Sequence, residues 1–374
     1  MLQIQFLDRN IVSALVPAFS MKPEQIIFLY DKRIIGLQGQ KAVERAIKKR
    51  LPETTIQFLY ADMLRLDAIE ETLEKVIMTN QQEEIQIDIT GGTELMTACG
   101  LMMCEKYHLT PTYVDFYHNR VFHVFTRKKL ADITNLTLDD YLKGAGGKYL
   151  SQSRHTPKET DFERILLCAE YVFSHLDDWK VFHKYMTMGY STAGVMEFSM
   201  NENVEYTPCM QMLSMFEKYG FCRQIGEDRY LFSSEADKEY LTVYGIWLEM
   251  YIYIKAKSCY DEVLLGALID WDDSDHIDLK DNEIDVVVMK HSQPIFISCK
   301  MMDIRKEAVY EVNALAKRLG GEYARSIVAT TDCVSVEKHL ENGMYQRLEK
   351  MRVGLIEVHD FQKLSAVDVF QKAI

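Results

Sequence analysis

The sequence predicts an α/β chain built as two folded units with a helical stretch between them. Three observations carry this. The chain has 374 residues, too long for one ordinary hydrophobic core. Its first ~130 residues alternate short apolar runs with amphipathic stretches, as a parallel sheet with helices on both faces requires. A later block runs helix, strand, strand, strand, helix, strand.

In the first unit, strands are expected at Gln3–Leu7, Gln25–Tyr30, Thr55–Leu59, Glu84–Ile89, Thr112–Phe116 and Val121–Thr126. Helices are expected at Gln40–Lys49, Arg65–Met78 and Thr93–Tyr107. The spacing fits a Rossmann-like sheet closed by a hairpin at His118–Asn119. This unit takes residues 1–142, and the polar, Gly-rich run GAGGKYLSQSRHTP marks a linker over 143–157. Residues 158–240 read as mainly helical. Within them a helix over Pro208–Lys218 precedes two short runs, Phe221–Gly226 and Arg229–Phe232. That is either a winged-helix skeleton or a helical connector with one hairpin. The last unit, 241–374, takes in most of one long helix running from Ser234 to Lys257. Strands follow at Val263–Ile269, Glu283–Met289 and Pro294–Cys299. Then come a helix over Lys306–Leu319, a strand at Arg325–Thr330, another helix and a strand at Val353–Glu357.

Composition narrows the classes. Hydrophobic residues make up 48% and charged residues 26%, ordinary for a globular protein. No run approaches the ~18 apolar residues of a membrane span. The opening MLQIQFLD lacks the regions of a signal peptide, and the eight cysteines form no CxxC pair, so a cytoplasmic protein with reduced thiols is expected. A net charge of −13 disfavours a protein that coats nucleic acid, but not an enzyme that handles it through metal ions.

Two segments carry chemistry. In IQIDITGGTELM a strand passes through Thr90, Gly91, Gly92 and Thr93 into a helix. Paired glycines allow close backbone approach, and helix-start N–H groups favour an anion or a nucleobase edge. Asp8, Arg9 and Asn10, at the end of the first strand, face the same crevice. Neither a GxGxxG fingerprint nor a Walker motif is present, which sets NAD and ATP aside. In NEIDVVVMKHSQPIFISCK, Glu283 and Asp285 share one strand face, and Ser298 and Lys300 share a face of the next strand. A hairpin brings Asp285, Ser298 and Lys300 together. A carboxylate to hold a divalent cation and a lysine to serve the attacking water are what phosphodiester hydrolysis needs. Asp270, ending the first strand of this unit, is a further possible ligand. The run containing Asp272, Asp273 and Asp275 lacks EF-hand spacing and reads as solvated loop. His276 and His291 read as surface residues, and Tyr107, Tyr113 and Tyr117 as packing residues.

The DITGGT segment, Asp88–Thr93, resembles the CRISPR-associated Rossmann-fold sensor domain, CARF, over roughly residues 1–140. That resemblance implies dimerisation and binding of cyclic oligoadenylates across the two-fold axis. Many members carry Lys or Arg after the GGT; this chain has Glu94, which shifts phosphate recognition toward backbone N–H groups. The later segment resembles the PD-(D/E)xK nucleases of the restriction-endonuclease fold, whose core order is the one read above. Most members carry Asp or Glu where this chain has Ser298. Many supply a metal-binding Glu from the preceding helix, here Glu249 in GIWLE. Together the segments resemble the CARF–nuclease fusions of type III CRISPR systems. The resemblance implies a homodimeric endonuclease activated by cyclic tetra-adenylate, dependent on Mn²⁺ or Mg²⁺, acting on single-stranded DNA or RNA. Glu249 and Asp285 would bind metal, Lys300 would serve water, and the Ser298–Cys299 backbone would complete the site. Two alternatives stay open: a ligand-responsive DNA-binding regulator, and a nuclease fold without catalysis.

Overall fold

The computed structural model describes residues 1–153, 156–190, 194–200, 206–270, 282–301, 304–320, 324–331 and 343–374. The acidic run with Asp272, Asp273 and Asp275, and also His276, lies outside them.

The first unit runs β1 (Leu2–Leu7), α1 (Ile11–Met21), β2 (Gln25–Tyr30), α2 (Leu37–Arg50), β3 (Thr55–Tyr60), α3 (Leu66–Thr79), β4 (Ile85–Asp88), α4 (Glu94–Tyr107), β5 (Thr110–Asp115), β6 (Arg120–His123), β7 (Lys129–Asp132) and α5 (Leu138–Ala145). Its seven-stranded sheet has the order β3-β2-β1-β4-β5-β6-β7. The strands from β3 through β5 are parallel, and β6 and β7 add antiparallel. The order reverses between β1 and β4, so the loops after them share one crevice. β1 alternates apolar and polar residues, yet all six are buried, because this central strand is covered on both faces. The expected helices omit α1. Its sequence, IVSALVPAFSM, is apolar nearly all round and interrupted by Pro17, so no helical stripe shows.

The expected linker is structured. Gly146 (φ 89°) caps α5, and β8 (Lys148–Ser151) pairs antiparallel with a strand of the last unit. The middle segment holds α6 (Phe162–Ser174), α7 (Leu176–Tyr190), β9 (Glu197–Ser199), α8 (Tyr206–Lys218), β10 (Cys222–Gln224) and β11 (Arg229–Phe232), with sheet order β10-β11-β9. The helix-plus-hairpin expectation holds, with β9 as a third strand.

The expected single helix over Ser234–Lys257 is two: α9 (Glu235–Thr242) and α10 (Ile246–Lys257), separated at Val243–Gly245. Then come β12 (Glu262–Asp270), β13 (Asn282–Lys290), β14 (Gln293–Lys300), α11 (Lys306–Gly320), β15 (Arg325–Thr330), α12 (Met344–Met351), β16 (Val353–Glu357) and α13 (Ala366–Ala373). The six-stranded sheet has the order β16-β15-β14-β13-β12-β8. Strands β14, β15 and β16 are parallel and the others antiparallel.

Helix α10 lies at the centre of the second half of the chain, called the effector half after the resemblance. Every residue from Ile246 to Ile254 except Glu249 is buried. Trp247 packs among Trp179, Phe216, Phe221 and Tyr240, which ties the middle segment to the last sheet through one core. Its indole Nε1 is buried without a hydrogen-bond partner. Trp247→Ala is expected to destabilise the effector half by about 3–5 kcal/mol in urea unfolding. Trp247→Phe, which removes the orphan donor and far less volume, should cost less than half as much.

Candidate functional site

The effector site grows out of an interrupted ladder. β13 and β14 pair from Lys290↔Gln293 up to Val286↔Ile297, and the register stops there. One residue further, the Asp285 carboxylate takes over. Its Oδ2 accepts from the Cys299 backbone N–H at 2.6 Å and from Ser298 Oγ at 3.4 Å. β14 meanwhile continues its parallel ladder with β15 to Lys300↔Thr330. The sheet therefore forks, with Asp285 in the fork and Lys300 on the other limb. Lys300 Nζ lies 3.7 Å from Asp285 Oδ2, with its side chain 40% exposed.

The other side of the fork is shaped by Gly266 on β12, at φ 55°. Leu265 and Val286 pack in the core around α10, whereas the next pair, Ala267 and Ile284, packs in the core beneath the sensor. The strand pair crosses between cores at Gly266 and Asp285. A Cβ on Gly266 would stand 2.9 Å from Glu283 Oε1 and from Ser153 Cβ, so only glycine fits. Glu283 is exposed and leans over this position.

Glu249 arrives from α10, partly buried in a helix whose other charged residues are Lys255 and Lys257 in its last turn. Burial, joined by the charges of Asp285 and Glu283 and opposed by Lys300, pushes its carboxyl up to about 8. A carboxylate pressed that far toward neutrality lies in a field short of positive charge. The chain thus brings Glu249, Asp285, Glu283, Ser298 and Lys300 together. Cys299 contributes through its main chain. Its thiol is buried and raised well above its ordinary value by that burial. Asp270 is set apart, four residues beyond Gly266 along β12 and so roughly 13 Å away. The donors suit a hard divalent cation in type and charge. Among the described residues, no three or more His, Cys, Asp or Glu side chains gather closely enough to hold a metal alone. Water and substrate oxygens would have to complete its shell.

The sensor turn is built as expected and wired differently. Thr93 caps α4, accepting from Met96 N, and Gly92 has φ 93°. A Cβ on Gly92 would meet Phe6 Cβ at 2.7 Å, and one on Gly91 would meet the Phe6 carbonyl oxygen at 2.8 Å. The close approach that demands glycine is therefore made by the protein itself. The Gly92 N–H is also engaged, donating to Asp8 Oδ2 at 2.7 Å. Asp8 further accepts from Asn10 N, and Asn10 caps α1 through Val12 N. Thr90 turns inward: its N–H donates to Asp88 Oδ1, and its Oγ1 accepts from Val114 N. Burial pushes Asp88 up to about 6. Among the described residues, no hydrogen bond takes up the Glu94 and Leu95 N–H groups, which stay open at the start of α4. The sequence places Asp8 at the crevice and Asp88 in the DITGGT segment, but nothing in it marks either as a support of the turn. Tyr107 bonds Glu74 and Tyr113 packs on Phe122, but Tyr117, expected to pack, is 91% exposed at the hairpin tip. His291 is exposed, as expected.

Comparison with known proteins follows this division. Residues 10–141 match the family described as the Card1 CARF domain, and residues 236–364 match the Card1-like endonuclease domain. No curated protein matches the chain. Protein VC1899 from Vibrio cholerae superposes with a TM-score of 0.80 at 16% identity, covering 99% of this chain and 97% of its own. Can2 from Sulfobacillus thermosulfidooxidans, solved in complex with cyclic tetra-adenylate, gives 0.70 at 16% identity over the same shares. A type III CRISPR defence DNA nuclease activated by cyclic oligoadenylate gives 0.53 at 12% identity, over 88% of this chain and 45% of its own.

The state of Glu249 has a measurable consequence in metal-free protein. Between its ordinary 4.5 and about 8, the folded protein keeps a proton that the unfolded chain has released. Stability in chelator should therefore fall as pH rises through that window. Glu249→Gln should lack this fall, as followed by urea midpoints from about pH 5 to about pH 8.5. Parallel profiles for wild type and variant would contradict the assignment.

Proposed function

The chain joins a Card1-type CARF domain to a Card1-like endonuclease domain, and on that premise we propose that it is a cyclic-oligoadenylate-activated, divalent-metal-dependent endonuclease of type III CRISPR defence. The observation that carries this reading is the meeting of Glu249, Asp285 and Lys300 at the fork of one sheet. The Can2 complex supports cyclic tetra-adenylate as the activator, and the type III CRISPR defence DNA nuclease supports a nucleic-acid substrate, here single-stranded DNA or RNA. The chain acts as a homodimer, with the sensor turns of two copies sharing one ligand.

Mn²⁺ or Mg²⁺, when bound, would polarise the scissile phosphate and lower the pKa of its water. The residues do the rest. Asp285, fixed by the Cys299 N–H, presents its remaining oxygen as an oriented ligand. Glu249 gives up its proton to become the second. Lys300, partly exposed beside them, holds the attacking water and offsets charge building on the phosphate. Ser298 supplies a neutral hydroxyl where the resemblance to PD-(D/E)xK nucleases implies a carboxylate in most members. The regulator alternative is not favoured: α8 carries one glutamate and one lysine, and Met212, Leu213 and Phe216 turn into the core.

Purified protein should cleave labelled single strands only with cyclic tetra-adenylate and a divalent cation. Asp285→Ala and Lys300→Ala should each lower turnover by ~10²-fold or more. Activator affinity should not change in either variant. Equal cleavage with and without activator would remove the proposal. Because Ser298 leaves the site one charge short, Mn²⁺ should outperform Mg²⁺ at equal concentration. Glu249→Gln should then be nearly as damaging as Asp285→Asn in the same assay.

A further inference from the structure

At the other end of β15 from the fork is a cleft of about 450 Å³ between the C-terminal ends of α11 and α12. Arg325, which opens β15, lies roughly 17 Å along the strand from Thr330, the partner of Lys300. In a chain of net charge −13, this cleft gathers Lys317, Arg325, Lys350 and Arg352, and no carboxylate is among the described residues that line it. Lys317 and Lys350 lie in the last turns of their helices, where a cation complements the helix dipole. That accounts for two of the four.

The floor of the cleft is what points to a ligand. Asn313 on α11 and Ser326 on β15 line it and are only 7% and 4% exposed. Neither side chain makes a hydrogen bond among the described residues. Neither is among the buried side-chain atoms that lack a partner, so with no partner among the described residues their polar ends open on the cleft beside the four cations. A helix-dipole role for the lysines leaves both unexplained. An amide N–H, a hydroxyl and four cations, with no acid among the described lining residues, are the groups that hold phosphate oxygens.

We propose that this cleft is a second ligand site, distinct from the fork, which binds a phosphate group with Asn313 and Ser326 beneath it and the four cations around it. The phosphate belongs either to a nucleic-acid backbone or to a small free ligand. The two sources share one chemistry. This inference does not rest on the nuclease reading.

The test is binding to full-length protein in chelator, so that cleavage plays no part. One arm follows a fluorescein-labelled single-stranded oligonucleotide by anisotropy. The other titrates inorganic phosphate and a nucleoside monophosphate by calorimetry. Arg325→Gln with Arg352→Gln should weaken at least one probe by tenfold or more; loss of two backbone contacts should also flatten the oligonucleotide salt dependence by about 1.4 log units per log unit of salt. Asn313→Leu, near in size, should weaken the same probe while its thermal unfolding stays at or above that of wild type. Loss confined to the oligonucleotide assigns the site to a nucleic-acid strand. Loss confined to the small probes assigns it to a free phosphate ligand. Unchanged binding of every probe in both variants overturns the proposal, whatever the nuclease assay shows.

Discussion

One hydrogen bond decides where the last sheet opens. The Cys299 N–H would belong to a β13–β14 ladder if that ladder continued past Val286 and Ile297. It donates instead to the Asp285 carboxylate at 2.6 Å. A side chain replacing a strand as acceptor lets the sheet open without leaving a donor unpaired. The opening is what admits a carboxylate, a hydroxyl and a lysine to one point. It also explains why the carboxylate is there at all: an apolar residue at 285 would leave the Cys299 N–H without an acceptor at the fork.

The fork is supported from both sides by packing. Helix α10 is buried over nearly its whole circumference, and its one acid, Glu249, is delivered by the break at Val243–Gly245. Continued as one helix from Ser234, the chain would aim that carboxylate elsewhere. On the opposite side, Gly266 turns β12 through a left-handed residue, and Ser153 donates its N–H to Leu265 O beside it. Ser153 follows β8, the strand that leaves the sensor two residues after α5 ends. Sensor and effector are therefore continuous. Leu138 N–H donates to Glu262, Leu136 N–H to Ser292 Oγ, and residues of α1, α2, α5, β12, β13 and α11 share one apolar core.

Much of this was legible because it rests on local pattern. The strands of both sheets announce themselves by apolar runs of the right length, and Thr93 by its place ahead of a helix. The pairing of Asp285 with Lys300 follows from alternation along two strands of a hairpin. What escaped lacks a local signature. Helix α1 is apolar on all sides, so it shows no stripe. β8 reads as a polar, glycine-rich linker because an edge strand needs only one partner, here the far end of β12. Asp270 ends the same strand as Gly266 and looked close in sequence, but strand geometry carries it away.

The sequence by itself determined the α/β class, the order of elements and the residue types at both sites. Periodicity, turn residues and short-range spacing are properties of neighbouring residues and survive without a fold. Only the tertiary structure decided how those residues are used. The Gly92 N–H, which the sequence leaves open to a ligand, is taken by Asp8, just past β1 and 84 residues away. Thr90 serves β5 rather than the crevice. Glu249 owes its state to burial and to two acids more than thirty residues distant. Hydrogen-bond partnership and desolvation depend on which surfaces meet, and no local pattern carries that information.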